Sequence, residues 1–450
     1  MISKILIANR GEIAVRIMRT CKKLGISSVA VYSEGDKAAP FVQMADESYL
    51  LGPARVNESY LNVDRILDIA KRCGADAIHP GYGFLSENGS FAEKCEASGI
   101  TFIGPTSQVM EMMGSKIEAR KAMKTANIPI VPGTEDAVHS KEEAIEVAKS
   151  IGYPIMLKAS AGGGGIGMQV VHSDEELLKA FENNAKRAES FFGDGAMFLE
   201  KKIDHARHIE IQILADKFGN AVHLFERECS IQRRNQKVVE EAPSPFLSET
   251  TRQRMGKAAV NAAKALGYTN AGTIEFLVDA NENYYFLEMN TRIQVEHPIT
   301  EEITGIDIVA EQINIANGNS LSLKQEDLTI KGHAIEARIY AEDPNTFFPS
   351  PGHITVFDIP KGENIRLESA VTSDYQVTPF YDPMISKLIV KGNTRQEAIQ
   401  LLIHTLEKTK VEGIKTNIPL LLEIAQHHEY QAGNTTTSFI VDYLRPLKRK

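Results

Sequence analysis

Thr273-Ile274-Glu275-Phe276-Leu277-Val278-Asp279-Ala280-Asn281-Glu282-Asn283-Tyr284-Tyr285-Phe286-Leu287-Glu288-Met289-Asn290 alternates in a way that predicts a β-hairpin. Residues 273–279 and 284–290 have strand composition, and 280–283 supply turn residues between them. Such a hairpin sets Glu275 opposite Glu288 on one face, with Asn290 two residues along on the same face. Facing like charges destabilise a strand pair unless a cation sits between them. Hard oxygen ligands combined with a substrate phosphate are the usual way proteins hold magnesium. A solvated acidic hairpin is the bland alternative. Ile274, Phe276, Phe286, Leu287 and Met289 flank the carboxylates, so the hairpin is expected inside a buried sheet and the metal site is favoured.

A second segment has the chemistry of a phosphate grip. Residues 154–158 read as a strand ending in Lys158; Gly162 to Gly165, Ile166 and Gly167 follow, and 168–171 read as a strand again. Glycines let backbone N–H groups approach phosphate oxygens without a Cβ in the way. Gly162, Gly164 and Gly167 formally match a dinucleotide fingerprint, but that motif needs a helix after it. A Walker A loop is excluded because Met168 stands where its lysine belongs. What remains is strand, glycine flap, strand: a lid over a triphosphate. A glycine linker is the alternative, and linkers are rarely bracketed by apolar strands.

Composition narrows the class. The chain has 450 residues and a formal charge of −9, with no long basic run, which argues against nucleic acid as a partner. Cys21, Cys73, Cys95 and Cys229 are scattered without C-x-x-C spacing, as expected in a reducing cytoplasm. The chain opens directly on a strand, so no signal peptide is expected. No apolar run is long enough to span a bilayer, so no membrane association is expected either.

Strand and helix patterns alternate from residue 1 to 113. Strands are expected at 4–8, 28–32, 75–79 and 101–104, a helix near 60–71, and a first helix with Ile13, Ile17, Cys21 and Leu24 as its apolar stripe. This is the pattern of a doubly wound parallel sheet. A helical connector (114–130), a lid (131–203), a portion carrying the acidic hairpin (204–330) and a mixed C-terminal portion (331–445) complete the division. Ala122-Met123-Lys124 is reminiscent of a biotin attachment site. Thr125 follows it, however, and the segment is an amphipathic helix, so helix surface is the better assignment.

Six stretches together resemble biotin carboxylase. They are Lys4 to Ala14, His79-Pro80-Gly81-Tyr82-Gly83, the glycine flap, Gln232-Arg233-Arg234, Val239-Glu240-Glu241-Ala242-Pro243, and Glu288 to Pro298. They occur in order and extend to about residue 440. The resemblance implies α/β and α+β architecture: an ATP-grasp fold with an N-terminal doubly wound parallel-sheet domain, a mobile lid and a mixed C-terminal domain. It implies ATP- and bicarbonate-dependent carboxylation of biotin on a biotin carboxyl carrier protein, through carboxyphosphate. That is the first half-reaction of an acyl-CoA carboxylase such as acetyl-CoA carboxylase. A carboxyltransferase subunit, a homodimer, and two Mg2+ or Mn2+ ions are implied with it.

By the same resemblance, Lys116 and Lys158 contact ATP phosphates, Gly164 and Gly165 cover them, and Glu275, Glu288 and Asn290 hold metal. Met168, Glu200, Lys201, Lys202, Ile203 and Leu277 correspond to the adenine pocket, and His208, Gln232 and Asn235 to its ribose side. Lys237, Arg292, Gln294, Val295 and Glu296 correspond to the bicarbonate site, with Arg292 as a planar fork and Glu296 as general base. An ion pair between Arg292 and Glu296 is the structural alternative. Arg338 stabilises the biotin enolate, an oxyanion-type role, with Tyr82 as a further biotin contact. Two positions depart from the family: Ile166 replaces a basic flap residue, and Asn235 replaces a histidine. A nucleotide-binding scaffold without turnover, and an ATP-grasp ligase with another acceptor, are the rival functions. Intact metal carboxylates and Arg338 weigh against the first, and Arg338 with the Arg292 and Glu296 pair against the second.

Overall fold

The computed structural model describes residues 1–134, 136–159, 168–192 and 195–445. The flap residues Gly164, Gly165 and Ile166 therefore lie outside the described residues. Strands β1 (Lys4–Ile7), β2 (Ser27–Ser33), β3 (Glu47–Gly52), β4 (Ala77–His79) and β5 (Thr101–Phe102) form a parallel sheet in the order β3-β2-β1-β4-β5. Alternation of side chains feeds two cores. Ile5 and Ile7 pack with the helix Gly11–Leu24 on one face, while Leu6 and Ala8 pack with the helix Val63–Cys73 on the other. Two expectations need correction. β3 was not anticipated, because as an edge strand it is largely exposed and carries no clean apolar stripe. Leu24 leaves the stripe: it is the last residue of its helix, next to the left-handed cap Gly25, and is 48% exposed.

The helix Lys116–Thr125 is capped by the Ser115 hydroxyl, which accepts from the Glu118 N–H. Met123 is its buried face and Lys124 is exposed, as expected for helix surface. The lid sheet is antiparallel: β6 (Ile155–Ala159) lies between β7 (Met168–Val171) and β8 (Met197–Lys201). Helices Lys141–Ile151 and Asp174–Phe192 flank it.

The largest sheet has eight antiparallel strands. It collects β9 (Arg207–Ala215), β10 (Ala221–Arg233), β11 (Gln236–Ala242), β12 (Asn270–Val278), β13 (Tyr284–Asn290) and β14 (His333–Tyr340). Two short pairs follow, β15 (Gly352–Ile354) with β18 (Tyr375–Val377) and β16 (Val356–Asp358) with β20 (Lys410–Glu412). Strands β17 (Ile365–Ser369) and β19 (Met384–Gly392) complete the large sheet. Its order is β13-β12-β9-β10-β11-β14-β19-β17, so one continuous sheet crosses the 330/331 division through the pairing of β11 with β14. Register lines up Glu275 with Glu210, Glu210 with Arg227, Glu240 with Glu336, Arg338 with Lys387, and Lys387 with Glu368. A band of buried charge therefore runs across the sheet, and the helix His297–Thr304 packs on it.

Candidate active site

The hairpin forms with the expected pairing. Glu275 faces Glu288 and Thr273 faces Asn290, and the register slips by one residue after Glu275. Glu275 is buried and Glu288 half-buried. Burial and then the facing Glu275 raise the Glu288 carboxyl, while Lys237 and His208 outweigh burial and hold Glu275 well below the usual range. Two adjacent carboxylates with one disfavoured in its charged form make a donor set that a divalent cation would relieve. Asn290 is beside them: its Nδ2 donates to Glu275 Oε1 at 2.8 Å, and its Oδ1 accepts from Arg292 Nη2 at 2.9 Å.

Lys237 is the hub. Its Nζ donates to Glu210 Oε2 at 2.6 Å, Glu275 Oε1 at 2.9 Å and Glu296 Oε1 at 2.7 Å. Burial disfavours the ammonium, but these three carboxylates raise it well above the ordinary lysine value. His208, Glu210 and Glu275 converge closely enough to suggest a metal cage, yet Lys237 already supplies a cation to both carboxylates. Arg227 fixes Glu210 from behind, at 2.5 Å from Nε to Oε1. Arg338 Nη2 lies 3.0 Å from Glu296 Oε2 and 2.6 Å from Glu240 Oε1. Burial favours the neutral form of Glu296, but Lys237, Arg338 and Arg227 together hold it well below the usual carboxylate range. Glu296 is also the N-cap of His297–Thr304, so residues 294–296 lie at the positive end of that helix.

Arg292 is held on three sides. Nε donates to Glu87 Oε2 at 3.0 Å, Nη1 to Gln294 Oε1 at 2.8 Å, and Nη2 to Asn290. The structural alternative, a direct ion pair with Glu296, does not form among the described residues; Glu87 from the N-terminal segment takes Arg292 instead and also accepts the Thr291 N–H at 3.1 Å. Gln294 Nε2 donates to Glu275 Oε1 at 3.0 Å, and the Val295 carbonyl accepts from Lys387 Nζ at 2.6 Å. The Tyr82 hydroxyl donates to Glu12 Oε1, to which Lys387 Nζ also lies at 3.1 Å.

Of the residues that the resemblance assigns to the nucleotide, Lys158, Met168, Glu200 and Lys201 lie on β6, β7 and β8, and His208, Gln232 and Leu277 on the large sheet. Lys158 and Arg120 both reach the buried Glu200 carboxylate, so its side chain is committed to an ion-paired cluster. Lys201 Nζ donates to Gly152 O at 2.8 Å and Lys202 Nζ to Asp204 Oδ1 at 2.7 Å. Their backbone N–H groups donate to the Pro132 and Pro154 carbonyls at 2.7 and 3.2 Å, and half-buried Ile203 follows. Met168 opens β7 opposite Lys158, and Leu277 pairs with His208. Burial lowers Lys116, with Glu288 opposing. His208 Nε2 is 2.7 Å from Glu275 Oε2, and its Nδ1 meets Gln232 Nε2 at 2.9 Å. Asn235 is exposed at the tip of the β10–β11 turn, with φ 63° after Arg234 at 49°. Sequence reasoning missed Glu12, Glu87, Glu210, Arg227, Glu240 and Lys387. The alternation His208, Glu210, Gln212 within an otherwise apolar strand was the available signal for Glu210. For Glu12, Glu87 and Lys387 there was none, since their partners lie far off in sequence.

Three family models match the chain: "Biotin carboxylase, N-terminal domain" over residues 1–110, "Carbamoyl-phosphate synthase L chain, ATP binding domain" over 115–324, and "Biotin carboxylase C-terminal domain" over 336–442. "Biotin carboxylase 2" of Bacillus subtilis is 61% identical over 444 residues, covering 99% of this chain and 100% of that protein. The structure of a Campylobacter jejuni biotin carboxylase complex with β-γ-ATP superposes with TM-score 0.97 at 47% identity, over 98% of this chain and 99% of that one. The biotin carboxylase domain dimer of Hydrogenobacter thermophilus 2-oxoglutarate carboxylase, with MgADP, ADP and bicarbonate, superposes at 0.95 with 50% identity, over 98% of each chain. Among the described residues, no helix is long and apolar enough to cross a membrane.

Proposed function

The chain belongs to the biotin carboxylase family and is an ATP-dependent ligase that carboxylates biotin with bicarbonate; from that premise, we propose how its residues divide the work. It uses ATP, magnesium and carrier-borne biotin. The observation that carries the assignment is the Glu296 carboxylate held between Lys237 and Arg338, with Arg292 beside it.

Arg292, Lys237, Gln294 and the backbone of Val295 bind bicarbonate, with Glu296 taking its proton. In the resting site Glu296 is too well stabilised to be a strong base. As Lys237 and Arg338 turn toward anionic substrates, that stabilisation is shared and its basicity rises. Arg338 then accepts the charge developing on the biotin ureido oxygen, with Tyr82 at the rim. Glu275 and Glu288, with Asn290 beside them, would hold two Mg2+ or Mn2+ ions, which would neutralise charge on the triphosphate oxygens. Lys116 and Lys158 contact those oxygens. The backbone at 200–203, with Met168 and Leu277, surrounds the adenine, and His208 and Gln232 face the ribose.

Segments 1–113, 114–130, 131–203, 204–330 and 331–445 serve as the functional units. The carrier protein and a carboxyltransferase are separate partners, and the chain works as a homodimer in the cytoplasm. Four free, buried cysteines are consistent with that compartment. The final acceptor is set outside this chain, as an acyl-CoA or, as the 2-oxoglutarate carboxylase relative suggests, a keto acid. ADP release is the test, with magnesium, bicarbonate and free biotin omitted in turn. Bicarbonate-dependent turnover that rises with biotin and falls at least about 100-fold in Glu296→Ala and Arg338→Ala is expected. Near-parental turnover in both variants would overturn the residue assignment.

A further inference from the structure

Lys387 is fully buried on β19, directly opposite Arg338 on β14. Burying an ammonium costs several kcal/mol unless its donors are satisfied, so a lysine kept there needs partners. Two stand out among the described residues. Nζ donates to the Val295 carbonyl at 2.6 Å and lies 3.1 Å from Glu12 Oε1. The same Glu12 oxygen accepts the Tyr82 hydroxyl, and Lys387 Nζ is 5.9 Å from the centre of the Tyr82 ring. The chain Tyr82–Glu12–Lys387–Val295 thus joins three parts of the sequence: the N-terminal domain, the segment after the acidic hairpin, and the C-terminal strands. Glu12 is also nearly fully buried, on the helix Gly11–Leu24.

We propose that Lys387 and Glu12 are positioning residues that couple the biotin end of the site to its bicarbonate end, by fixing the Val295–Glu296 peptide from one side and the Tyr82 hydroxyl from the other. This rests on the assignment of Tyr82 to biotin and of Val295 and Glu296 to bicarbonate. Lys387 touches no reacting atom. It holds the carbonyl of the peptide that leads into Glu296, so tilting that peptide changes where the Glu296 carboxylate and the Val295 N–H point. A movement of Tyr82 on biotin binding pulls on the same ammonium through Glu12. Apolar packing would serve stability equally well at this position. The two directed hydrogen bonds serve geometry.

The discriminating readout is an effect at the far end. Tyr82→Phe keeps the ring and removes only the hydroxyl link to Glu12. It is expected to raise the KM for bicarbonate about fivefold, as does Glu12→Gln, a coupling of the size found within one hydrogen-bond network. Lys387→Met is expected to raise the KM for both bicarbonate and biotin, while the KM for ATP changes less than about twofold. In the Tyr82→Phe, Lys387→Met pair, the bicarbonate effects should fail to add. If Lys387→Met does not fold, the Tyr82 and Glu12 variants carry the test alone. Bicarbonate KM within twofold of the parent in Tyr82→Phe and Glu12→Gln would overturn the coupling. Arg292→Ala and Arg338→Ala separate the two levels. Should they leave bicarbonate and biotin KM unmoved, the underlying site assignment has failed. Should they move them while Tyr82→Phe does not, only the coupling has.

Discussion

At the scale of single residues, charge balance decides which groups titrate where. Glu228 is the clearest case outside the proposed site. Burial pushes its carboxyl up to about 7, although the Ser230 and Ser244 hydroxyls both donate to it. Between about pH 4.5 and 7 the folded chain keeps a proton there that the unfolded chain has released. Stability conferred through this group therefore falls as pH rises across that window, by on the order of 3 kcal/mol at full ionisation. Glu228→Gln should flatten the pH dependence of the thermal midpoint between pH 5 and 8 and raise the midpoint at pH 8 relative to the parent. Equal slopes in the two proteins would show that Glu228 is ionised throughout. Nothing in the sequence announced this group, because Glu226, Glu228 and Ser230 look like an ordinary polar alternation. Glu275 and Glu288 were legible for the opposite reason: their hairpin is local, so pairing followed from turn position and period alone.

Elements carry the next level, and there local chemistry was readable while edges and tips were not. The two strands of the acidic hairpin, the capped helix Lys116–Thr125 and the parallel strands β1, β2, β4 and β5 follow from period and turn residues. β3 escaped because an edge strand has one neighbour and little apolar demand. Asn235, which the resemblance assigns to the nucleotide, also has a duty in the backbone. Arg233 pairs with Gln236, so Arg234 and Asn235 form a two-residue turn with both φ values positive. Asparagine tolerates that left-handed conformation and β-branched residues do not. Asn235→Gly should keep stability within about 0.5 kcal/mol and the KM for ATP within about twofold, whereas Asn235→Val should cost about 1–2 kcal/mol. Chemical denaturation and steady-state kinetics on the two variants separate the duties: a large rise in KM for ATP in the glycine variant would return Asn235 to the nucleotide site.

For the whole molecule, the decisive fact is one no local pattern displays: β11 pairs with β14, which begins about ninety residues later in the chain. Pairing over such a separation is set by tertiary packing, so the sequence suggested a catalytic portion and a C-terminal portion where the sheet is continuous. The consequences are energetic as well as topological. Glu240 on β11 has Arg338 on β14 as its cation, and Val239 and Val238 share a core with Ile335, Ala337 and Leu388. The N-terminal domain is tied to the same sheet by Glu87 on Arg292 and Lys387 on Glu12, and Arg16 ties it to Glu301 on the covering helix His297–Thr304. A chain ended at residue 330 would leave β11 as an open edge and strand Glu240 in an apolar setting without its arginine, a loss of about 3–5 kcal/mol from the broken buried pair alone. Such a chain should show no cooperative unfolding transition, whereas in the full chain the regions 204–330 and 331–445 should melt together in a single calorimetric peak. A sharp, reversible transition in the 330-residue chain would mean that residues 204–330 close their own core, and that the charge band continues past β11 for function rather than for folding.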